Sequence, residues 1–257
     1  YYTVPLTITA KNASKPYDGT PLTETGFTAT GLVNGDTADK LALSMTAEST
    51  ITNVGTQPNV IDQSTVKYNG KAISSSYYTV TYEDGTLTIN PRSVTLTSGS
   101  GEKVYDGTAL TNDTVTVSGD GFVNGEGATY TVTGSQVNEG ESENTFTYTL
   151  KDNTKAKNYT IETVFGKLKV TPVTDEVVVT IVGNTKTETY NGKEQRVTGY
   201  TVTSISNKLY KSEYIGFTGE AIAKGTDADT YQMGLNANQF KNISKNFTNV
   251  KFEVTDG

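Results

Sequence analysis

Three copies of a short motif, in which a tyrosine is followed by an acid or amide and then a glycine, are the residues of this sequence best suited to bind a ligand. They are Tyr17-Asp18-Gly19, Tyr105-Asp106-Gly107 and Tyr190-Asn191-Gly192. Their tyrosines could form an aromatic ladder on one face of the molecule. A buried tyrosine more commonly packs its ring in the core while its hydroxyl finds a hydrogen-bond partner. Because the motif recurs at one position in every copy, we expect Tyr17, Tyr105 and Tyr190 to be scaffold residues, each packed on its own sheet with its hydroxyl on a backbone group.

Groups for catalysis are scarce. The 257 residues include no histidine, cysteine or tryptophan, which excludes Ser-His and Cys-His nucleophile pairs, disulfides and every His- or Cys-ligated metal site. Paired carboxylates could hydrolyse a glycoside if two of them faced each other about 5–9 Å apart across a cleft. The candidate acids instead lie mostly in Asp-Gly turns, where the carboxylate bonds the local backbone. These acids are Asp18, Asp84, Asp106 and Asp256. Glu139, Glu141 and Glu143 alternate along one segment, where we expect them to repel one another. The sequence predicts no catalytic residue and no enzyme.

Two further patterns are similar to parts of ion-binding loops. Asp227-Ala228-Asp229 could supply oxygen ligands to Ca²⁺, which takes six to eight, but no glycine at the required offset and no closing bidentate glutamate follow it. Gly119-Asp120-Gly121 and Gly125-Glu126-Gly127 lack the Lys-Ser/Thr pair of a phosphate-binding loop. We predict a structural turn at the first and loops at the two glycine-rich segments, with no metal, no cofactor and no identified ligand-binding residue. Asn-x-Ser/Thr triplets, which some hosts glycosylate, occur at Asn12, Asn112, Asn158, Asn242 and Asn246.

The charge balance excludes another class of partner. Charged residues make up 19% of the chain and the net charge is −7, so the sequence offers no basic track for nucleic acid or an anionic membrane. No apolar run approaches the length of a membrane span. We therefore predict no nucleic-acid partner, no membrane insertion in this segment, and a monomer.

The elements that must position the tyrosines are themselves repeated. The motifs start 88 and 85 residues apart, and an alternating run ends nine positions before each tyrosine. The runs are Leu6-Thr7-Ile8, Val94-Thr95-Leu96 and Val179-Thr180-Ile181. The spacing predicts three β-rich modules at residues 1–91, 92–172 and 173–257. Residues 1–5 are similar to the closing strand of an upstream module, and the third module lacks its own closing strand because Asp256-Gly257 aligns with Asp84-Gly85. We therefore expect a window cut from a longer array.

Each module is expected to close with a hairpin. Residues 78–82 alternate and lead through Asp84-Gly85 into a second alternating run, which is a strong hairpin signal. The second copy passes instead through Gly166. Pro91 and Pro172 come next, and a proline ends a ladder because it has no N–H to donate. With almost no linker at these prolines, the modules are expected to stack as a stiff, elongated array.

Within the modules, short strands alternate with turn signals. Strands are predicted around Phe27-Thr28-Ala29, Val115-Thr116-Val117, Tyr130-Thr131-Val132 and Phe146-Thr147-Tyr148, and turns at Asn34-Gly35, Asn69-Gly70 and Asn124-Gly125. Helical signal is limited to single turns within residues 36–41 and 206–214. Short strands at this spacing favour a mostly β fold, with an Ig-like sandwich preferred over the alternative, a β-grasp-like sheet with a short helix.

The order of these motifs resembles the MBG/YDG-type repeats of large bacterial surface proteins. The resemblance is carried by Tyr-Asp-Gly-Thr at 17–20 and 105–108 and by Asp-Gly-Thr-Leu-Thr-Ile at 84–89. Module three is similar to a variant of Gram-positive surface proteins, through Tyr190-Asn191-Gly192-Lys193 and residues 226–231 and 252–257. In module two, residues 124–127 and 164–167 depart from the pattern, which puts a short helical turn there in doubt.

The resemblance implies an extracellular protein, at the cell surface or in the cell wall, that serves as an adhesin or its stalk. We therefore expect a non-catalytic spacer in cell adhesion. The alternative is a module that itself binds mucin glycans or a host surface protein through exposed tyrosines and threonine-rich faces.

Overall fold

The computed structural model describes residues 2–257, and about half of the chain is in strands. The helical residues of this range form four 3₁₀ turns of three residues each. These turns are Ala38–Lys40, Ala156–Asn158, Ser212–Tyr214 and Ala237–Gln239. The predicted mostly β fold is confirmed, and so are the single turns predicted within residues 36–41 and 206–214. Residues 124–127 of the second module form no 3₁₀ turn. The preference for a sandwich over a β-grasp-like sheet stays a prediction.

The first eight strands, which we call strand set 1, form three small sheets. Their bounds are β1 Val4–Ala10, β2 Ala13–Pro16, β3 Phe27–Thr30, β4 Leu41–Met45, β5 Gly55–Asn59, β6 Ile61–Tyr68, β7 Tyr78–Glu83 and β8 Gly85–Asn90. The sheets have the orders β3-β1-β7, β2-β8-β5 and β4-β6. β1 is antiparallel to β3 and parallel to β7. Its period-two pattern buries Leu6, Ile8 and Ala10 completely or nearly so.

Strand set 2 repeats the same pairings. Its strands are β9 Arg92–Ser98, β10 Gly101–Val104, β11 Val115–Gly119, β12 Ala128–Val132, β13 Gly140–Asn144, β14 Phe146–Leu150, β15 Tyr159–Val164 and β16 Gly166–Thr171. They pair in the orders β11-β9-β15, β10-β16-β13 and β12-β14. β15 is parallel to β9, as β7 is to β1. The four strands that the alternation predicts in sets 1 and 2 are β3, β11, β12 and β14, and all four are confirmed.

In strand set 3 the first strand pairs with two others as in sets 1 and 2, but the second sheet differs. Its strands are β17 Val177–Gly183, β18 Gln195–Thr198, β19 Tyr200–Ile205, β20 Ile215–Phe217, β21 Ile222–Gly225, β22 Phe240–Asn242 and β23 Val250–Thr255. β17 is antiparallel to β19 and parallel to β23. β18 and β21 pair directly with each other. Among the residues that the structure describes, no strand of this set takes the place that β8 holds in set 1 and β16 in set 2.

The predicted closing hairpin is wrong. β7 and β8 belong to different sheets, so Asp84 is a crossover between sheets rather than a hairpin turn. Gly85 is needed for a close approach: a Cβ there would lie 2.4 Å from the Lys11 carbonyl oxygen. Gly166 is in the same position, with a Cβ 2.4 Å from the Gly99 oxygen. Both residues are glycines because backbone passes over them, and not because a turn needs a positive φ.

Two predicted Asn-Gly turns are confirmed by their dihedral angles. Asn34 and Gly35 have φ values of 57° and 84°, and Asn69 and Gly70 have values of 49° and 77°. This left-handed geometry is tolerated by asparagine and free of penalty for glycine.

The start of the chain takes part in the first sheet. Val4 and Pro5 pair with Tyr78 and Thr79 as the first residues of β1, and the assignment of residues 1–5 to an upstream remnant stays a prediction. Tyr1 lies outside the described residues.

The chain divides into two compact units. The first runs to Thr97 and takes in Val115–Thr131 and Thr147–Val164; the second takes in Ser98–Thr114, Val132–Phe146 and Phe165–Gly257. Strand set 1 lies in the first unit and set 3 in the second, and set 2 is divided. This differs from a division into three, so the boundaries at 91 and 172 stay predictions. The core of the first unit includes Leu6, Ile8, Leu41, Ile61 and Tyr78. The core of the second includes Val177, Val179, Ile181, Tyr210 and Phe247.

Candidate functional site

In the first unit, Tyr17 lies against residues of strand set 2. Only 6% of Tyr17 is exposed, and its ring meets that of Tyr159 edge-on with the centroids 5.6 Å apart. Its hydroxyl donates to Oε2 of Glu126 at 3.0 Å, and the Tyr159 hydroxyl donates to the same oxygen at 3.1 Å. The expectation of a backbone partner within its own sheet is wrong. The tyrosine instead joins two strand sets through a shared carboxylate.

The electrostatics of this cluster favour protonated tyrosines. Burial, followed by the hydrogen bond to Glu126, raises the pKa of Tyr17 above its ordinary value. Burial also raises the pKa of Tyr159, to about 12. Both phenols therefore stay neutral and remain donors to Glu126 over the physiological pH range.

Arg92, the first residue of β9, holds a loop within strand set 2. Its Nε donates to the Gly121 carbonyl at 2.7 Å and its Nη2 to the Asp120 carbonyl at 2.6 Å. Gly119 ends β11, and Asp120 and Gly121 follow it as a loop that Arg92 holds. Residues 125–127 lie outside all strands and carry the carboxylate bound by the tyrosines. The predicted loops are confirmed at residues 120–121 and 125–127. The guanidinium matches two carbonyls because its donors lie in a rigid plane.

A buried asparagine makes a further contact between sets 1 and 2. Asn158, in the 3₁₀ turn before β15, is 1% exposed. Its Oδ1 accepts from the Val54 amide at 2.9 Å, and its Nδ2 donates to Oδ1 of Asn53 at 3.0 Å. The amide side chain is therefore satisfied at both ends by the loop that precedes β5.

The second unit contains the same arrangement. Asn246, which is 8% exposed, accepts from the Glu139 amide at 2.6 Å and donates to Oδ1 of Asn138 at 3.1 Å. Asn138 and Glu139 precede β13 as Asn53 and Val54 precede β5. A buried asparagine of the following strand set thus binds the same loop in both cases, which indicates a repeated structural device. Glu139 takes part through its backbone, not as a repelling side chain.

Tyr105 in the second unit matches Tyr17 in burial. It is 8% exposed and its ring meets Phe247 edge-on at 5.7 Å. Burial, and then a hydrogen bond with Tyr214, raises its pKa. Next to it, a Cβ on Gly107 would lie 3.5 Å from the Leu209 side chain, which is ordinary contact. Tyr105 therefore packs on set 3 as Tyr17 packs on set 2.

Tyr190 does not share these surroundings. It is 65% exposed, so the expectation that all three tyrosines are equivalent is wrong for this one. The reason lies in the residues that cover the other two. Tyr17 and Tyr105 are covered by side chains of the next strand set, and no such cover lies over Tyr190 among the described residues.

The residue after each tyrosine forms an Asx turn. In each motif its Oδ1 accepts from the backbone amide two residues later at 2.9 Å. The pairs are Asp18 with Thr20, Asp106 with Thr108 and Asn191 with Lys193. The predicted bonding of Asp18 and Asp106 to local backbone is confirmed, and Asn191 forms the same turn.

A lysine reinforces the first two of these turns. Lys15 lies 3.0 Å from Asp18, and Lys103 lies 2.8 Å from Asp106. The hydrogen bonds from Thr20, followed by that from Lys15, lower the pKa of Asp18 to about 2. The hydrogen bond from Lys103 is the main cause of the lowered pKa of Asp106. These acids are fixed as carboxylates and are unsuited to proton transfer at neutral pH.

The remaining acidic candidates stay separate. Glu141 and Glu143 lie exposed on β13, and Glu143 is 3.8 Å from Lys167. Asp256 accepts from the amides of Gly234 and Leu235. Over residues 2–257 no group of three or more His, Cys, Asp or Glu side chains is placed to hold a metal ion.

One groove of the first unit is large enough for a small ligand but is lined by no carboxylate. It holds about 310 Å³ beside β7 and is lined by Gln63, Val66, Ala72, Ile73, Ser75, Tyr78, Val80 and Tyr82. None of these side chains is a carboxylate, so the groove cannot supply the acid pair that glycoside hydrolysis requires.

The glycosylation triplets are mostly engaged in structure. Asn158 and Asn246 are the two buried asparagines described above. Asn12, Asn112 and Asn242 are also hydrogen-bonded: Asn12 accepts from the Thr86 amide, and the other two donate to backbone carbonyls. Burial leaves Asn158 and Asn246 out of reach of a modifying enzyme.

Comparison with known proteins gives one family. Residues 6–88 match the sequence model of the MBG domain, YGX type, a range that extends from β1 into β8 and covers less than half of the chain. No curated protein and no solved structure matches the chain. The resemblance to MBG repeats is therefore confirmed for strand set 1, and its extension to the other sets stays a prediction. From Tyr2 to Gly257, no helix is long and apolar enough to cross a membrane.

Sequence reasoning missed the two buried asparagines. A signal was present, because Asn53-Val54-Gly55 and Asn138-Glu139-Gly140 share an Asn-x-Gly pattern. This pattern is a second repeat, separate from the tyrosine motifs. Asn158 and Asn246 stood out only as glycosylation triplets. Their partners are 104 to 108 residues away in sequence, and a pattern along the chain does not report pairs of that separation.

Proposed function

We propose that this chain is a non-catalytic spacer of a bacterial surface protein, in which consecutive β-rich modules hold a functional part away from the cell wall. The observation that carries the proposal is the repeated joint. A buried tyrosine and a buried asparagine link set 1 to set 2, and the same pair of residue types links set 2 to set 3. The modules would be residues 1–91, 92–172 and 173–257.

A spacer needs stiff joints, because a flexible joint would not keep its tip at a fixed distance. The contacts at these joints suit that task. A network of buried hydrogen bonds has one satisfied geometry, and bending it would leave polar groups without partners. The linker between β8 and β9 is the single residue Pro91, whose ring fixes φ.

The motif acids support the same proposal. Asp18 and Asp106 are held as carboxylates by lysines and turns, and the groove beside β7 has no acid. The similarity of residues 6–88 to the MBG domain, together with the resemblance of their motifs to surface-protein repeats, favours an extracellular location and a role in cell adhesion.

Small-angle scattering on the purified chain tests the proposal. A stiff spacer should give an elongated, monomeric particle whose maximum dimension is unchanged between low and high salt. The double variant Asn158→Ala and Asn246→Ala should broaden the distance distribution. A compact profile for the unmodified chain would refute the spacer.

A glycan and mucin binding assay on the same sample separates the alternative. A spacer should show no saturable binding to mucin or to a glycan array. Saturable binding that is lost when Tyr190 or Tyr231, both exposed, is replaced by alanine would favour a binding module and contradict the spacer proposal.

A further inference from the structure

Strand sets 1 and 2 each contain a central strand that strand set 3, as far as residue 257, does not. β8 lies between β2, to which it is parallel, and β5, to which it is antiparallel. β16 lies in the same way between β10 and β13. The inward side chains of these strands are fully buried. Leu87 and Ile89 are 0% and 1% exposed, and Leu168 and Val170 are likewise 0% and 1% exposed.

The two segments that should flank such a strand in set 3 can be located by register. β2 and β10 each occupy the four residues before the motif tyrosine, which in set 3 are residues 186–189. The bridge between Leu22 and Ile51 corresponds to the pair Gln195 and Gly225, since Leu22 and Gln195 each lie five residues after the tyrosine. β5, four residues beyond Ile51, therefore corresponds to residues 229–233.

Neither segment forms a ladder. Residues 186–189 and 229–233 are outside all strands, and residues 186–189 and 229–232 are exposed. Their sequences do not explain this, because Lys186-Thr187-Glu188-Thr189 and Asp229-Thr230-Tyr231 alternate and contain β-favouring residues. Their edges lack the strand with which β2 and β5 pair.

A groove lies between these two segments. It has a volume of about 320 Å³, and its lining includes residues from both edges together with Val197 and Ala223. Ala223 is 7% exposed, and Tyr190 and Tyr231 also line the groove. Most of the lining is polar, and it includes the acids Glu188, Asp227 and Asp229. Val197 and Ala223 thus lie beside two backbone edges that, among the described residues, belong to no ladder, which is how a sheet accepts an added strand.

The first residue of the expected strand is already in place. β8 begins at Gly85, opposite Asn59, and β16 begins at Gly166, opposite Asn144. In set 3 the Met233 amide donates to the Gly257 carbonyl at 2.9 Å. A Cβ on Gly257 would lie 2.5 Å from the Asn184 oxygen, the same close approach that Gly85 and Gly166 make.

We propose that the groove between residues 186–189 and 229–233 is a strand-acceptor site. Its occupant is an extended peptide of the β8 type, in which two apolar residues alternate with polar ones. The peptide continues the ladder from the position of Gly257, parallel to residues 186–189 and antiparallel to residues 229–233. The two apolar side chains of the peptide pack against Val197 and Ala223 in the groove.

Appending a strand to the full chain tests this site directly. The sequence of residues 86–91, Thr-Leu-Thr-Ile-Asn-Pro, is added after Gly257. The matched control carries Thr-Ser-Thr-Ser-Asn-Pro, which keeps length and backbone but removes both apolar side chains. A fused strand acts at a high effective concentration, so weak intrinsic affinity does not hide the effect.

The β8-type extension should raise the midpoint of thermal unfolding by about 5 °C or more, because two side chains become buried and a ladder forms. Hydrogen exchange at the amides of residues 186–189 and 229–233 should slow by at least about tenfold. The serine control should change neither quantity. An unchanged midpoint, equal effects of both extensions, or protection that appears elsewhere in the chain would overturn the proposal.

Discussion

At the scale of single residues, two buried asparagines carry the contacts between strand sets. Asn158 uses its oxygen on the Val54 amide and its nitrogen on Asn53, so no other side chain of its size can replace it. Leucine would fill the volume but leave the amide of Val54 unpaired. The residue therefore acts through its hydrogen-bonding pattern and not through its bulk.

Asn158→Ala should lower the free energy of unfolding by about 1–3 kcal/mol, because it leaves the amide of the half-buried Val54 without a partner. Urea unfolding followed by tyrosine fluorescence measures this. Asn238→Ala is the matched control, since Asn238 also lies in a 3₁₀ turn but is exposed. The control should stay within about 0.5 kcal/mol. Equal losses for the two variants would contradict the role given to Asn158.

The hydroxyl of Tyr17 can be tested separately from its ring. Tyr17→Phe keeps the edge-on contact with Tyr159 but removes the bond to Glu126, and we expect a loss of about 1–2 kcal/mol in the free energy of unfolding. Tyr190→Phe, at a tyrosine that is 65% exposed, should have almost no effect. The account of the joint is contradicted if the Tyr190 variant loses as much stability as the Tyr17 variant.

Acid should weaken the protein partly through Asp18. Its pKa falls from 3.8 to about 2 in the folded chain. The stability that this carboxylate contributes is therefore present above about pH 4 and is lost as the pH falls toward 2. Because the side chain is 44% exposed, solvent screening keeps the contribution below about 1 kcal/mol.

Asp18→Asn should flatten the decline in unfolding free energy between about pH 4 and pH 2 relative to the unmodified chain. Unfolding curves at closely spaced pH values measure this slope. Asp84→Asn, at an exposed acid of the β7–β8 crossover, is the control. The interpretation of Asp18 does not survive if the two variants have the same slope.

At the scale of elements, the sequence predicted which residues form strands better than it predicted which strands pair. Alternation in Leu6-Thr7-Ile8 identified β1, because period two fixes which side chains point inward. It could not identify β7 as a parallel partner some 70 residues away, since alternation reports a face and not a neighbour. The Asp84-Gly85 pair was interpreted as a hairpin for the same reason: a turn signal is local, whereas the sheet of β8 is set by contacts with β2 and β5.

The crossover glycines give a prediction for this scale. Gly166→Ala should lower the free energy of unfolding by about 1–3 kcal/mol or more, because its Cβ would lie 2.4–2.5 Å from the backbone oxygens of Gly99 and Ser98. Gly127→Ala is the control, since its nearest neighbours, in the Lys151 side chain, are 3.7 Å away. If Gly166→Ala is as well tolerated as Gly127→Ala, the close-approach explanation is wrong.

At the scale of the whole molecule, the threefold recurrence was visible in the sequence and the contacts between strand sets were not. The tyrosine motif indicated the repeat, but Tyr17 and Tyr105 pack on the following set, and Tyr190, with the same motif, is exposed. The same motif therefore has a buried tyrosine where another strand set packs over it and an exposed tyrosine where none does. The alignment of Asp256-Gly257 with Asp84-Gly85 predicted that set 3 lacks a closing strand. The groove at that place was not predicted, because it depends on two edges that the chain brings together in space.

The most direct test of the account is a distance measurement across the first joint. The chain contains no cysteine, so spin labels attach only to cysteines that are introduced. We choose Thr28→Cys on β3 and Thr160→Cys on β15, both at exposed positions of the first unit. Double electron–electron resonance should give one narrow distance distribution, which broadens when Asn158→Ala and Tyr17→Phe are added together. A distribution that is already broad without those two substitutions, or that they leave unchanged, would contradict the claim that buried tyrosine and asparagine side chains fix neighbouring strand sets.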